Sequence, residues 1–203
     1  MKLRLTKQQL TMAGIAALTV VTAGIGGTLA VFTDTHSIDA NTFSTTSVSL
    51  IVGAPTTTNL ISLANMVPGD STAWVPLNVA NGANTILRYA VSISATNTDT
   101  KGLRDVLDLT IKVDDPGVTA GTLCDSFLAG TPYTGKLSAT ASGGKLIGDS
   151  TSSPYPSSRT LAVSGSEVLC FQVSLAITYD NTYKSATTTA TLTFNAEQTL
   201  HNP

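Results

Sequence analysis

From residue 43 onward the sequence alternates between apolar and polar residues with a period of two, in one run after another. Because successive side chains of a β-strand point to opposite faces, each run predicts a strand with one apolar and one polar face. Several such strands favour antiparallel sheets that form a sandwich or a barrel. No long helix is expected after residue 32. The alternating apolar positions are Val48, Leu50 and Val52; Val75, Leu77 and Val79; Leu87, Tyr89, Val91, Ile93 and Ala95; Leu107, Leu109, Ile111 and Val113; Leu169, Phe171, Val173, Leu175 and Ile177; and Ala190, Leu192, Phe194 and Ala196.

Two short segments between these runs carry strong turn signals. Pro68-Gly69-Asp70 precedes the strand expected near 73–79, and Asn81-Gly82 follows it. Proline and glycine supply the dihedral angles that tight turns need, and Asn-Gly is a pair typical of hairpins. We therefore predict a turn at each segment, with Asn81-Gly82 forming an antiparallel connection to a strand over 86–96. Residues 141–158 are rich in small residues and are expected to form a long, mobile loop.

The first thirty residues have the three parts of an export signal. Three basic residues lie among the first seven, and an uncharged apolar run follows over residues 10–30. The small residue Ala30 ends this run, so we predict a signal peptide over 1–30 that is cleaved between Ala30 and Val31. The alternative is an uncleaved membrane anchor, because about 20 apolar residues can span a bilayer. Membrane contact is expected only through this segment, before cleavage.

Composition indicates that residues 31–203 form a single exported domain. Hydrophobic residues make up 42% of the 203-residue sequence, which is enough for a core. Charged residues make up only 12%, which is about half of the usual share. Residues 31–203 keep all 13 acidic residues but eight of the 11 basic ones, a net charge of −5. This charge argues against binding of nucleic acid, which needs clustered Lys and Arg.

Cys124 and Cys170 are the two cysteines of the sequence. In an exported chain, such a pair predicts a disulfide. The alternative is two unlinked thiols, because the sequence alone does not fix the distance between their Cα atoms. Cys170 has the opposite parity to Phe171, so a bridge at this position is expected on the outer face of a sheet rather than in the core.

Few residues could support catalysis or metal binding. His36 and His201 are far apart in the sequence, and no His/Cys set has zinc-binding spacing. Asp114-Asp115 could contribute to a calcium site, but a charged turn at a strand end is the simpler interpretation. No nucleophile turn and no phosphate-binding loop is present. We therefore predict no catalytic residue, no metal and no cofactor, and we do not expect an enzyme.

Several short segments, in order along the chain, resemble the TasA/camelysin family of exported matrix proteins. Residues 26–34, GGTLAVFTD, are similar to the processing junction of that family, and residues 41–43, NTF, to the lead into its first long strand. Residues 66–71, MVPGDS, resemble its Pro-Gly-Asp turn. Residues 181–184, NTYK, and 191–199, TLTFNAEQT, resemble its closing segments. The resemblance spans nearly the whole chain, and the shared order of the motifs carries it.

The resemblance implies a jelly-roll-like antiparallel β-sandwich behind a signal peptide that an ER-type signal peptidase removes. It also implies a secreted structural subunit, in the extracellular matrix or biofilm or at the cell surface, that self-associates into filaments. In this mechanism the leading segment 31–43 is a donor strand that pairs with the next subunit. Its candidate residues are Val31, Phe32, Ile38, Ala40 and Phe43.

Two expectations follow for that donor segment. Phe32, Ile38 and Ala40 share one parity and could fill pockets, whereas Asp34 and His36 share the same parity and fit such pockets poorly. The isolated sandwich is expected to lack one edge strand and to leave an open slot. If the processed protein alone has its leading segment docked on its own sandwich, the polymer interpretation collapses and only an exported β-domain remains.

Two other functions stay open at this point. Camelysin members of the family are described as neutral metalloproteases, so a secreted metalloprotease is one alternative. A monomeric extracellular domain that binds wall sugar or a partner protein through its loops is the other. Sugar sites usually expose aromatic side chains, and Trp74 and Tyr155 are the few candidates in a chain with 5% aromatic residues.

Overall fold

The structure, a computed structural model, describes residues 33–37, 48–53, 66–115, 122–128 and 130–199. Within these ranges the chain forms ten β-strands and three short 3₁₀ turns, and it contains no helix that could span a bilayer. The strands are β1 (Thr33–Ser37), β2 (Leu50–Gly53), β3 (Val75–Asn81), β4 (Leu87–Ala95), β5 (Leu107–Val113), β6 (Tyr133–Lys136), β7 (Lys145–Ile147), β8 (Arg159–Leu161), β9 (Ser166–Leu175) and β10 (Ala190–Gln198). The 3₁₀ turns are Leu103–Asp105, Thr140–Ser142 and Asn181–Tyr183.

The strands form two five-stranded antiparallel sheets. The front sheet has the order β1-β10-β4-β7, with β8 also pairing with β4, and the back sheet has the order β2-β3-β9-β5-β6. Most connections, such as β3 to β4 and β8 to β9, cross from one sheet to the other. The chain is therefore an all-β sandwich, as the alternating sequence predicted, and its repeated crossings fit the jelly-roll-like expectation.

The core lies between the sheets, and most of its side chains are those that the period-two pattern assigned to the apolar faces; Val106, Leu137, Ala139, Leu146, Ile147 and Leu161 join them without having been predicted. Leu77 and Val79 of β3, Leu169 of β9 and Phe194 of β10 are fully buried there. Burial of one such side chain stabilises the fold by about 1.5–3 kcal/mol. Ile177 is an exception to the predicted pattern: β9 ends at Leu175, and the Ile177 side chain is 79% exposed.

The predicted turn at Pro68-Gly69-Asp70 is present. The Asp70 N–H donates to the Val67 carbonyl over 3.0 Å, and the Val67 N–H donates to the Asp70 carboxylate over 2.9 Å. Gly69 has a φ of +100°, which the third position of a type II turn requires and which L side chains rarely adopt. Proline before it fixes the φ of the second position, so the local sequence determines this turn.

Asn81-Gly82 is a connection between sheets, and the hairpin predicted there is wrong. β3 belongs to the back sheet and β4 to the front sheet, so the two strands do not pair. The Asn81 amide donates to the carbonyls of Thr85, Leu161 and Ala162, which ties this crossing to the β8–β9 connection. A Cβ on Gly82 would lie 2.9 Å from the Ser49 Oγ, so a larger residue would make that side chain shift.

Residues 141–158 are more ordered than the loop predicted from their small side chains. They contain β7 and the end of a 3₁₀ turn, and the adjoining β8 pairs with β4. Lys145 and Asp149 form an ion pair of 2.5 Å, and the Asn195 amide donates to the Ser150 Oγ over 3.2 Å. The Ile93 N–H also donates to the Gly144 carbonyl over 2.8 Å, so the segment is attached to the front sheet at several points.

Candidate functional site

The edge formed by β1 and β10 is the candidate functional site, because the leading segment was predicted to act in assembly. Among the strands that the structure describes, β1 lies outermost in the front sheet and pairs with β10 alone. The register runs from Thr33 opposite Glu197 to Ser37 opposite Thr193. Both strands belong to one chain, so the leading segment completes the edge of its own sheet.

This pairing corrects the expectation of an open slot. The predicted slot at the edge of the sandwich is filled by residues 33–37 of the same chain. The physical reason is tethering, since a strand on the same chain has a high effective concentration next to the edge. The observation counts against polymerisation by filling an open slot. An exchange mechanism must displace β1 from β10 instead.

The composition of β1 makes it a weak partner for β10. Its sequence is TDTHS, which contains no apolar residue. Asp34 lies in register with Ala196 and His36 with Phe194, and both β10 residues are fully buried. Asp34 and His36 share the parity of the residues that were expected to fill pockets, so that set contains polar residues at these two positions. Each backbone hydrogen bond of such a pairing has a net contribution of about 0.5–1.5 kcal/mol.

The remaining residues predicted to act at this site lie outside the described residues. They are the cleavage residues Ala30 and Val31 and the donor residues Phe32, Ile38, Ala40 and Phe43.

β10 is held in place by contacts that do not involve β1. It pairs with β4 along all nine of its residues. On the outer face of the front sheet, the fully buried Glu197 accepts hydrogen bonds from Arg88 over 2.6 Å and from the Tyr155 N–H over 2.9 Å. A buried carboxylate needs such donors, because leaving it unpaired is strongly destabilising. The edge of β10 would therefore persist if β1 left it.

The predicted disulfide between Cys124 and Cys170 is present, with Cα atoms 5.8 Å apart. It lies on the outer face of the back sheet, as the parity of Cys170 indicated, but both cysteines are buried. The segment 122–128 covers them through the bridge between Asp114 and Phe127. The bond itself is typical of proteins in an oxidising compartment.

An aromatic pair covers the same outer face. The rings of Trp74 and Phe127 lie 4.8 Å apart between centroids, and the Lys112 ammonium lies 5.1 Å and 4.6 Å from them. Trp74 thus packs against the covering segment 122–128 and is not a free sugar-binding ring. Tyr155 is only 8% exposed, so it offers no platform for a sugar either.

One group of three side chains in the described part of the chain has the spacing of metal ligands. It consists of Asp114, Cys124 and Cys170, with both sulfurs joined in the disulfide. Asp115, the second residue of the suggested calcium pair, does not belong to this group. His36 lies on β1, and His201 lies outside the described residues. The described residues thus bring together no further trio of His, Cys, Asp or Glu that could serve a metalloprotease.

Two shallow grooves lie on the described surface. One, of about 250 Å³, is lined by small and polar residues around β4 and β7, including Ser92, Ser150 and Thr151. The other, of about 270 Å³, lies between Val113, Leu128 and Pro132, with Arg159 at its side. Neither lining contains a histidine or a cysteine, and Arg159 is already bonded to Glu167. We assign no chemistry to them.

Sequence reasoning missed the ion pair that joins the two sheets at one end. Arg159 of β8 and Glu167 of β9 bind each other, and the Tyr89 hydroxyl donates to Glu167 over 2.7 Å. Glu167 shares the parity of the inward-facing Leu169. A charged residue at an inward position of a strand is the signal that could have indicated a polar cluster there.

Comparison with known proteins leaves the family unassigned. No protein-family model matches the chain, and no curated protein or solved structure matches it. The link to the TasA/camelysin family remains a resemblance between short motifs.

Proposed function

We propose that this chain is a secreted structural subunit of extracellular fibres or matrix and that it polymerises by exchange of β1. In the polymer, β1 of one subunit leaves its own β10 and pairs with β10 of the next. One observation carries the proposal: β1 is a five-residue polar strand that pairs with β10 alone among the described strands, and it lies within the segment 31–43 that resembles a donor strand.

The energetics of the two arrangements support exchange. The backbone hydrogen bonds between β1 and β10 are the same whether the two strands belong to one chain or to two. The free-energy difference between the two arrangements is therefore small. Its sign depends on the segment that links β1 to the sandwich. Residues 38–47 form that link, and ten extended residues can span up to about 35 Å.

A head-to-tail contact of this type generates a filament. The donated strand and the accepting edge are different surfaces, so each subunit that gives β1 still offers its own β10. The contact continues from copy to copy unless a rotation closes it into a ring. The persistent β10 edge, anchored by β4 and by Glu197, provides the fixed acceptor that repeated addition needs.

Export is part of the same proposal. The signal-like segment at 1–30 and the buried disulfide both favour an oxidising compartment. Cleavage after Ala30 would free the leading end of β1, which is then able to reach a second subunit. The proposed location is the extracellular matrix or the cell surface.

Negative-stain electron microscopy of protein that begins at Val31 tests the proposal. We expect filaments from this protein and soluble monomers from a variant that lacks residues 31–42. A second variant, with residues 31–42 replaced by a Gly/Ser segment of equal length, controls for the shortened chain and should also stay monomeric. Filaments from either variant, or monomers from the intact protein under all conditions, would contradict the mechanism.

A further inference from the structure

Three exposed aliphatic side chains surround the crossing at Asn81-Gly82, at one end of the sandwich. They are Ile51 of β2, Ile86 immediately before β4 and Val163 between β8 and β9, with exposed fractions of 53%, 45% and 49%. A Cβ on Gly82 would lie 3.0 Å from the Ile51 Cδ1. The Asn81 amide donates to the carbonyls of the residues just before Ile86 and Val163. We call these three side chains the end patch.

The segments that carry the end patch contain no charged residue. They are 48–53, 81–87 and 160–166. The opposite end of the sandwich, beyond the end of β9, exposes Ile177, but the charged Asp180 follows it by three positions. The centre of a protein interface is depleted of charged residues relative to the rest of the surface. The end patch therefore has the composition of an interface.

Strand exchange gives such a contact an energetic role. The pairing of β1 with β10 is the same in the monomer and in the filament, so it does not favour either. Association also costs each subunit translational and rotational freedom. A contact between sandwiches that only the filament contains would offset this cost. Burial of the exposed half of one isoleucine changes an association constant by about fivefold.

The link between β1 and the sandwich determines which end of a subunit is near its neighbour. Residues 38–47 form the link, and the buried Val48 follows them. β2 then begins at Leu50, opposite Asn81, at the end that carries the end patch. A β1 strand that pairs with another subunit is thus ten residues from this end of its own sandwich. The link favours an arrangement in which the donor subunit presents the end patch, rather than the end at Ile177, to the acceptor.

We propose that the end patch of each subunit packs against the next subunit of the filament and forms a second interface beside the exchanged strand. The partner is a second copy of this chain, and the inference rests on the proposed exchange of β1. In a head-to-tail filament the end patch meets a different surface of the next subunit, so this contact repeats along with the exchange.

The critical concentration for assembly, measured by pelleting filaments in an ultracentrifuge, tests the proposal. In protein that begins at Val31, Ile51→Thr and Ile86→Thr should each raise the critical concentration by about fivefold, and the double variant by at least about tenfold. Threonine keeps the β-branch but loses most of the apolar contact. The matched control is Ile177→Thr at the opposite end, where the side chain is 79% exposed. This control should leave the critical concentration unchanged.

Urea denaturation below the critical concentration shows whether the end patch acts within one subunit. The midpoint should be unchanged in all of these variants, because exposed side chains contribute little to the stability of a fold. A lower midpoint in the double variant would show that the end patch packs against its own chain, which would overturn the proposal. If a strand substitution prevents folding, Val163→Thr, in a turn, replaces it and should raise the critical concentration by about threefold.

The remaining outcomes separate the end patch from strand exchange. If the double variant assembles at the unaltered concentration and its filaments still require residues 31–42, the second interface is excluded and the exchange stands. An equal rise for Ile177→Thr would overturn the proposal too, because it would show a general dependence on apolar surface. Monomers from the unaltered protein under all conditions would overturn both the end-patch interface and the exchange.

Discussion

Arg159 on β8 and Glu167 on β9 bind each other across the two sheets of the sandwich. The Arg159 Nε donates to both carboxylate oxygens of Glu167 over 2.9 Å, and a second guanidinium nitrogen contacts the same group. The Tyr89 hydroxyl adds a third donor, from the neighbouring strand of the front sheet. This cluster joins the two sheets at one end of the sandwich.

Removing the Glu167 charge should destabilise the fold. In Glu167→Gln, the partly buried Arg159 loses its counterion and Tyr89 loses an ionic acceptor. We expect the free energy of unfolding to fall by about 1–3 kcal/mol, measured by urea denaturation. The matched control is Asp108→Asn, which removes a 2.7 Å ion pair with Lys136 on the exposed face of the back sheet. Asp108→Asn should lower the free energy of unfolding by less than about 1 kcal/mol. Equal losses would show that the Arg159 pair acts only as a surface pair.

Stability should decline at alkaline pH because of Tyr89. Burial first, and then the negative charge of Glu167, raise the pKa of Tyr89 well above 10.0. The unfolded side chain ionises near its ordinary value, so this contribution is complete below about pH 10 and is lost as pH rises towards the pKa in the folded state. Each such group gives a slope of about 1.4 kcal/mol per pH unit. Urea denaturation at about pH 9 and about pH 11 should show a smaller decline in Tyr89→Phe. If Tyr89→Phe loses as much stability over this pH range as the unaltered protein, the decline arises from other tyrosines.

Removing the disulfide should destabilise the protein without preventing folding. The bond closes a loop across 46 positions, and the chain-entropy model gives about 4 kcal/mol for a loop of this size. The double variant Cys124→Ala/Cys170→Ala should therefore unfold at a lower urea concentration. Reduced unaltered protein, measured alongside, should lose a similar amount. A loss below about 1 kcal/mol would show that the covering segment, rather than the bond, holds this face together.

Asp149 should titrate at an unusually low pH. Hydrogen bonds from Lys145 and then from Thr151 lower its pKa from 3.8 to about 2. Its stabilising contribution is present above its ordinary value and is lost as pH falls through about 2. An NMR titration should place the midpoint there, and Lys145→Met should raise it.

Asp99 is the matched comparison for that titration. Its pKa is lowered first by the backbone N–H groups of Thr187 and Lys101. Lys101→Met should therefore shift the Asp99 midpoint less than Lys145→Met shifts that of Asp149. Equal shifts would contradict the conclusion that a lysine side chain mainly lowers the pKa of Asp149, whereas backbone N–H groups mainly lower the pKa of Asp99.

An engineered disulfide can distinguish the two arrangements of β1. Ser37 and Thr193 are opposite each other in the register, and opposite residues of antiparallel strands have Cα atoms about 4.5–5.5 Å apart, within reach of a disulfide. Oxidising Ser37→Cys/Thr193→Cys monomers should lock β1 in place and abolish filaments. Oxidising preformed filaments should instead give a covalent ladder on a non-reducing gel.

A pair that does not exchange provides the control. Ser94→Cys/Thr191→Cys joins β4 to β10 within one sheet. It should form only intramolecular bonds and leave filament formation unchanged. A ladder from this pair, or none from filaments of the first pair, would exclude exchange at β10.

The six alternating runs correctly predicted β2, β3, β4, β5, β9 and β10. The reason is the packing of the core. Positions such as Leu77, Leu109 and Phe194 must face the opposite sheet, so selection of apolar residues at every second position leaves a readable pattern. The type II turn was predictable for a similar local reason, since Pro68 and Gly69 fix its dihedral angles. The parity of Cys170 likewise predicted that the disulfide lies on the outer face of its sheet.

Other features depend on distant contacts that no local pattern records. β6, β7 and β8 have three or four residues each, too few to show a period, and they form because β4 and β5 offer edges to them. Asn81-Gly82 has the sequence of a hairpin, but the amide of Asn81 binds carbonyls about 80 residues away. β1 was predicted as a donor strand, whereas its pairing within the chain follows from tethering.

The register of β1 and β10 has a practical consequence for studying the protein. Thr33 and Glu197 are opposite each other, so whatever precedes β1 and whatever follows β10 leave the domain at the same corner. A purification tag or fluorescent protein fused beyond residue 199 would therefore crowd the strand that we propose to exchange. The connection between β9 and β10, near the exposed residues Lys184 and Ser185, is at the opposite end of β10 and is the better place for a label.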